Sequence, residues 1–150
     1  MRLRGFEIIS SYKNREIVLP MRKTQYSAGY DISAAEETIV LPATVTVIAT
    51  GLKAYMGNDE YLGIHIRSGL SIKNNISLIN GQGIIDADYY NNADNEGHIL
   101  IAVYNHTGKN ILINKGTRIA QGIFYKYLVI DREENDLFST RTGGFGSTGE

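Results

Sequence analysis

Apolar residues recur along the chain in short runs, and where they show a period that period is two. Leu62, Ile64 and Ile66 alternate with Gly63 and His65, the spacing of a strand with one buried face. Ile99, Ile101 and Val103 alternate with Leu100, Ala102 and Tyr104. Both faces of that run are apolar, so the strand is expected to be covered on two sides. Ile8-Ile9 and Ile17-Val18-Leu19 are shorter β-type runs, the second ended by Pro20. Residues 24–32 read as a loop entering a strand. Residues 38–50, rich in Thr, Val and Ile, broken at Pro42 and alternating at Val45 and Val47, predict one strand or two. Residues 76–79 are apolar again. Ile111 and Ile113 lead into Asn114-Lys115-Gly116, a hairpin signal, and 118–130 is a long apolar strand region. Only residues 68–74 suggest a helical turn, with Ser68 as its cap. Many short strands separated by turn signals predict an all-β fold, barrel or sandwich.

Composition narrows the function classes. The 150 residues, 43% hydrophobic and 21% charged, suit one domain with a packed core. A net charge of -1 from 15 basic and 16 acidic residues leaves no electrostatic footprint for nucleic acid or an anionic membrane. The absence of cysteine removes disulfides, thiolate metal sites and a cysteine nucleophile. With no signal-like apolar run at the start and no stretch of membrane-spanning length, a cytoplasmic setting is expected. The character changes at residues 140–150, where glycines surround Arg141, Phe145, Ser147 and Thr148. The chain therefore reads as one domain over 1–150, with a core at 1–139 and an arm at 140–150. The arm's one cation and one aromatic suit closure over something anionic and planar.

Three stretches carry candidate chemistry. In Asn80-Gly81-Gln82-Gly83-Ile84-Ile85-Asp86-Ala87-Asp88-Tyr89 two glycines let the backbone bend and approach a ligand closely. A strand turning back there would expose unpaired N–H and C=O groups able to pair with a planar heterocycle. Asp86 would stand beside that molecule on an isoleucine anchor. Asp-x-Asp next to glycine is also ordinary turn composition. Arg67-Ser68-Gly69-Leu70 joins a guanidinium, a hydroxyl and a helix start, groups that suit a phosphate; a salt-bridged arginine with a capping serine would give the same residues. Arg118-Ile119-Ala120-Gln121 adds a cation and an amide on a strand. His65, His98 and His106 lack metal-ligand spacing, and no phosphate-cradling Gly-Lys-Ser/Thr loop or Gly-x-Ser-x-Gly elbow occurs. Residues 90–97 read as polar and exposed.

With Ala28-Gly29-Tyr30-Asp31 at the front and Gly143-Gly144-Phe145-Gly146-Ser147-Thr148-Gly149 at the end, these stretches form five segments in order. Together they resemble the five motifs of the trimeric deoxyuridine triphosphate nucleotidohydrolases. The resemblance implies an all-β, jelly-roll-like distorted β-barrel with one short helix, and a homotrimer with active sites at subunit contacts. It implies Mg²⁺-assisted hydrolysis of dUTP to dUMP and pyrophosphate. Carried over, Asp86 would activate the attacking water, and Asn80 with the backbone of Gly83 and Ile85 would read uracil. Tyr89 would pack under the deoxyribose. Arg67, Ser68, Gly69 and Gln121 would hold phosphates, and Asp31 would position a water on Mg²⁺. Arg141, Ser147 and Thr148 would meet the terminal phosphates, and Phe145 would stack on the base. Two departures stand out. Arg141 is one residue closer to Gly143-Gly144-Phe145 than in the family pattern, and Asn91 stands where the third motif commonly has glycine.

The related deoxycytidine triphosphate deaminases carry a glutamate where Ala102 stands here, so deamination lacks its acid–base group. Some phage-encoded relatives act on repressor proteins, which makes 90–97 the expected place for such a partner, in addition to hydrolysis.

Overall fold

The computed structural model describes residues 3–131, 141, 143 and 144. Phe145, Ser147 and Thr148 lie outside the described residues. Strands dominate: β1 (Gly5–Ile8), β2 (Tyr30–Ser33), β3 (Thr38–Val40), β4 (Val45–Ala49), β5 (Leu52–Tyr55), β6 (Glu60–Ile66), β7 (Ile76–Leu78), β8 (Gly83–Asp86), β9 (Leu100–Asn105), β10 (Ile111–Ile113) and β11 (Arg118–Lys126), with one helix, α1 (Ser68–Asn74). All pairing is antiparallel. A four-stranded sheet runs β2-β11-β6-β8 and a three-stranded sheet β4-β9-β7, with pairs β1-β5 and β3-β10. The arrangement is jelly-roll-like and all-β, as the strand periods predict, but the sheets do not join into a closed barrel.

Burial explains the pairing. Ile32, Leu62 and Ile119 from the larger sheet meet Ile48, Ile101 and Val103 from the smaller one, each at 1% exposure or less. β9 lies between β4 and β7; one of its faces sends Ile101 and Val103 into the core, and the other sends Leu100 and Ala102 to the wall of a cleft. Phe6, Tyr30 and Phe124 close one end as a tilted aromatic trio with centroids 5.4–6.1 Å apart.

Several local expectations are corrected. Residues 17–19 form no strand. Ile17 packs against the core while Val18 is 69% exposed, and the chain makes only a single bridge, between Met21 and Asp31. Pro42 does split 38–50 into β3 and β4, but the buried face of β4 carries Ile48, and Val45 and Val47 point outward. Alternation identified the strand without saying which of its faces is buried. The turn at 114–116 is present, with Gly116 at φ 81°, yet it joins β10, which pairs with β3, to β11, which pairs with β2 and β6. It is a crossing between sheets, not a hairpin. Helix α1 begins at Ser68 with extended Arg67 as N-cap and no side-chain cap, so Ser68 is the first helical residue and caps nothing. Asn75 ends the helix in the left-handed conformation. β11 stops at Lys126, and apolar 127–130 is exposed, Leu128 at 98%.

Candidate active site

Among the described residues, β8 is the edge of the four-stranded sheet and pairs only with β6. Its second edge is therefore unladdered among them, and an edge of this kind presents backbone N–H and C=O groups to a ligand. The expected turn-back is corrected in its detail. β7 and β8 belong to different sheets, and Gly81, at φ 70° and with its N–H on the Leu78 carbonyl at 3.1 Å, carries the chain across. Gly83 is closely packed: a Cβ there would stand 3.1 Å from the Ile64 Cβ, and Ile64 would have to give way slightly. The edge borders a cleft of about 200 Å³ lined by Asn80, Gly83, Ile85, Asp86, Tyr89 and Arg141, with apolar walls from Leu78 and Leu100. Ala102 faces the same cleft, so the position of the deaminase glutamate is inside the site and holds a methyl group.

Tyr89 ends a short 3-10 turn, Ala87–Tyr89, and is 6% exposed. Its hydroxyl donates to the His98 carbonyl at 2.9 Å and accepts from the Asn95 amide at 2.8 Å. The following segment, expected to be polar and exposed, is exposed at Asn91, Ala93 and Asp94 but buries other positions. Asn92 is buried and Gly97 is packed so closely that a Cβ would lie 2.7 Å from the Tyr89 carbonyl oxygen. Asn91 adopts φ 57°, the left-handed conformation that glycine or asparagine takes most readily. Its side chain also accepts a bond from the buried Lys53 ammonium at 2.6 Å. The departure from glycine therefore preserves the turn and adds a contact. Lys53 pairs in addition with Glu96 at 2.6 Å, and Glu96 accepts from the backbone N–H and hydroxyl of Ser10. Those bonds hold the Glu96 carboxyl down at about 2. The segment's amides serve its own turn, Tyr89 and Lys53, and no feature of it marks a partner site.

Asp86 and Asp88 are both solvent-facing, and Arg141 spans them. Its Nη2 reaches Asp86 Oδ2 at 2.6 Å and its Nε reaches Asp88 Oδ1 at 2.7 Å. The guanidinium carbon lies 5.8 Å from the Tyr89 ring centroid. Arg141 itself is well covered, with 12% side-chain exposure. Its position over the carboxylates, and not at an anion site of its own, was not foreseen.

The second group of candidates lies elsewhere on the chain. Asp31 of β2 sits opposite Gln121 of β11. The Asp31 carboxylate is gripped by Arg118 at 2.9 Å and faces Arg67 at 3.6 Å. Arg67 donates its N–H to the Ile119 carbonyl and starts α1, which brings Ser68 and Gly69 to the same end. Gly69 has open space where a Cβ would be, while a Cβ on Gly29 would collide with the Gln121 amide. Arg118 is the residue here whose ion pair the sequence did not reveal. Only the pairing of β2 with β11 brings it to Asp31.

The two groups are far apart in one chain. Asp86 lies across from Tyr61, at the start of β6, whereas Arg67 follows its end. At about 3.3 Å per residue the separation along β6 is roughly 20 Å. Among the described residues no three His, Asp or Glu side chains converge as a metal-binding group. His98 uses Nε2 to accept from the Gly51 N–H, and His106 bonds Ser77.

Known proteins resemble this chain along most of its length. The family model for dUTPase matches residues 15–149. A deoxyuridine 5′-triphosphate nucleotidohydrolase of Lactococcus lactis is 50% identical over 99% of both chains. One from the yeast Debaryomyces hansenii is 36% identical over 92% of this chain and 84% of its own. The crystal structure of dUTPase from Streptococcus mutans superposes with a TM-score of 0.81 at 42% identity, over 85% of this chain and 98% of that one. A dUTPase from phage phi11 of S. aureus, at 21% identity and a TM-score of 0.72, shares the fold. With its open strand edge, its cleft carboxylate and these matches along almost its whole length, the chain belongs to the dUTPase family, enzymes that hydrolyse deoxyuridine 5′-triphosphate.

Proposed function

We propose that the cleft beside β8 binds the deoxyuridine moiety and that Asp86 is the general base. The observation that carries this is the meeting of one carboxylate, one unladdered strand edge and one anchored tyrosine in a single cleft. Uracil pairs with the backbone of Gly83 and Ile85 and with Asn80, and the narrow edge rejects thymine by its methyl group. The Tyr89 ring lies under the deoxyribose and excludes a 2′-hydroxyl. Arg67, Ser68, Gly69 and Gln121 hold the phosphates. Because Arg67 and the helix start after it lie roughly 20 Å along β6 from Asp86, and Gln121 lies opposite His65 two strands from β8, the phosphates are met by a second copy of the chain, and the active unit is a homotrimer with sites at its contacts. Each copy is one domain, 1–139 as core and 140–150 as arm.

A water between Asp86 and the α-phosphorus loses its proton to the carboxylate as its oxygen attacks. The bond from the α-phosphorus to the bridging oxygen breaks, giving dUMP and pyrophosphate. Arg141 covers Asp86 before substrate binds. Terminal phosphates are stronger partners for a guanidinium than two exposed carboxylates, so substrate draws Arg141 away and frees the base. Phe145, Ser147 and Thr148 complete the lid over base and phosphates. The residues present suit Mg²⁺ carried on the triphosphate and touched by Asp31 only through water, since Mg²⁺ keeps several waters and takes phosphate oxygens readily. When bound, the ion draws negative charge from the leaving pyrophosphate. We place this reaction in the cytoplasm, where uracil would otherwise enter DNA.

Incubation with dUTP, dCTP, dTTP and UTP in Mg²⁺ tests the reading. dUMP and pyrophosphate from dUTP alone are expected. Production of dUTP from dCTP would overturn it.

A further inference from the structure

Tyr89 forms one wall of the cleft, and its far end is held twice. The hydroxyl donates to the His98 carbonyl and accepts from Asn95 Nδ2, at 2.9 and 2.8 Å. The Asn95 amide has one possible orientation, because its Oδ1 accepts the Gly97 N–H at 3.1 Å, a group that can only donate. Asn92 locks Asn95 in turn. Its Nδ2 donates to Asn95 Oδ1 and to the Tyr89 carbonyl, both at 2.8 Å, and its Oδ1 accepts the backbone N–H groups of Asp94 and Asn95, both at 3.0 Å. Gly144 of the arm meets the same place. Gly144 donates its N–H to Asp94 Oδ2 at 3.2 Å, and a Cβ on Gly144 would stand 2.8 Å from Asn95 Nδ2.

We propose that Asn95 is a positioning residue that sets the preference for deoxyribose over ribose by fixing the Tyr89 ring. This rests on the reading that Tyr89 lies under the sugar. Exclusion by contact needs a wall that cannot retreat. A phenol ring held only at its Cβ tilts by a fraction of an ångström under load, whereas one held at both ends does not. The position calls for a donor toward Tyr89 and an acceptor toward Gly97 from one short side chain. Asparagine supplies both, and aspartate supplies only the acceptor.

The test is the ratio of kcat/KM for dUTP to that for UTP, measured for the wild type, Asn95→Asp, Tyr89→Phe, the double variant and Tyr89→Ala. Both substrates are read on the same preparation, so a loss of folded protein cancels from the ratio. Asn95→Asp is expected to lower it about threefold to tenfold, the range that one neutral hydrogen bond spans. Tyr89→Phe is expected to lower it at least as far, and the double variant no further than Tyr89→Phe alone, because the hydroxyl Asn95 serves is then gone. An unchanged ratio in Asn95→Asp beside a lowered one in Tyr89→Phe would overturn the proposal. So would additive losses in the double variant, which would mean that Asn95 acts through the shape of the turn. An unchanged ratio in Tyr89→Ala would instead remove the sugar-wall reading itself.

Discussion

Asp86 and Asp88 share one guanidinium yet differ in what else they face. Asp86 lines the cleft with the strand edge and Tyr89 as well as the outer hollow beside Asn58 and Tyr127, whereas Asp88 lines only the outer hollow. Asp86→Asn keeps the shape and removes the proton acceptor. Its kcat for dUTP is expected to fall about 10²–10⁴-fold with the affinity for dUMP, read by calorimetry, little changed. Asp88→Asn leaves the base in place and only loosens Arg141, so its kcat should fall much less. The reverse order would mean the base is misassigned. His98 gives a second prediction at this scale. Burial lowers its pKa, and its Nε2 accepts the Gly51 N–H only when neutral. A histidine whose folded pKa lies below 6.5 favours folding above that pH and withdraws support below it. Urea midpoints should drop between pH 7 and pH 5, and His98→Gln should flatten that drop. Asp86 and Tyr89 were singled out in the sequence by their place in a segment that resembles a family motif, and the structure brings both to one cleft. Asn95 was not singled out. In an asparagine-rich stretch it looks like solvated turn, and only the return of the chain to the Tyr89 hydroxyl gives it a task.

Among the elements, the period-two runs located β6 and β9 well, because both lie inside sheets and burial follows the pleat. Faces and partners were less legible. Whether Val47 or Ile48 points inward depends on register with β9, where Ile48 meets Ile101, and no local pattern carries that information. The partner strand of β10 lies about seventy residues upstream and was equally hidden. The central place of β9 predicts that Ile101→Ala costs about 2–5 kcal/mol, measurable by denaturant unfolding with unchanged slope. The turn after β8 is tied to β5 and to Ser10 through Lys53 and Glu96. Glu96 is held at about 2 against a usual 4.5. Its contribution to stability is therefore complete above about pH 4.5 and is lost as pH falls toward 2. Glu96→Gln should be less stable at neutral pH and show a weaker pH dependence within that window.

For the whole molecule, the separation of Asp86 from Arg67 along β6 matters most. If base and phosphate grips come from different copies, two inactive variants repair one another. Asp86→Asn and Arg67→Ala proteins, each nearly dead alone, should regain activity when refolded together, approaching roughly a quarter of wild type for random mixing in a closed ring. Activity that stays at the level of the separate variants would place the whole site in one chain. The same layout has a genetic consequence. Two defective alleles, one failing at the base and one at the phosphate grip, would support growth together where neither does alone. An allele carrying both lesions would offer its sister nothing, since every ring position it fills spoils the site on either side.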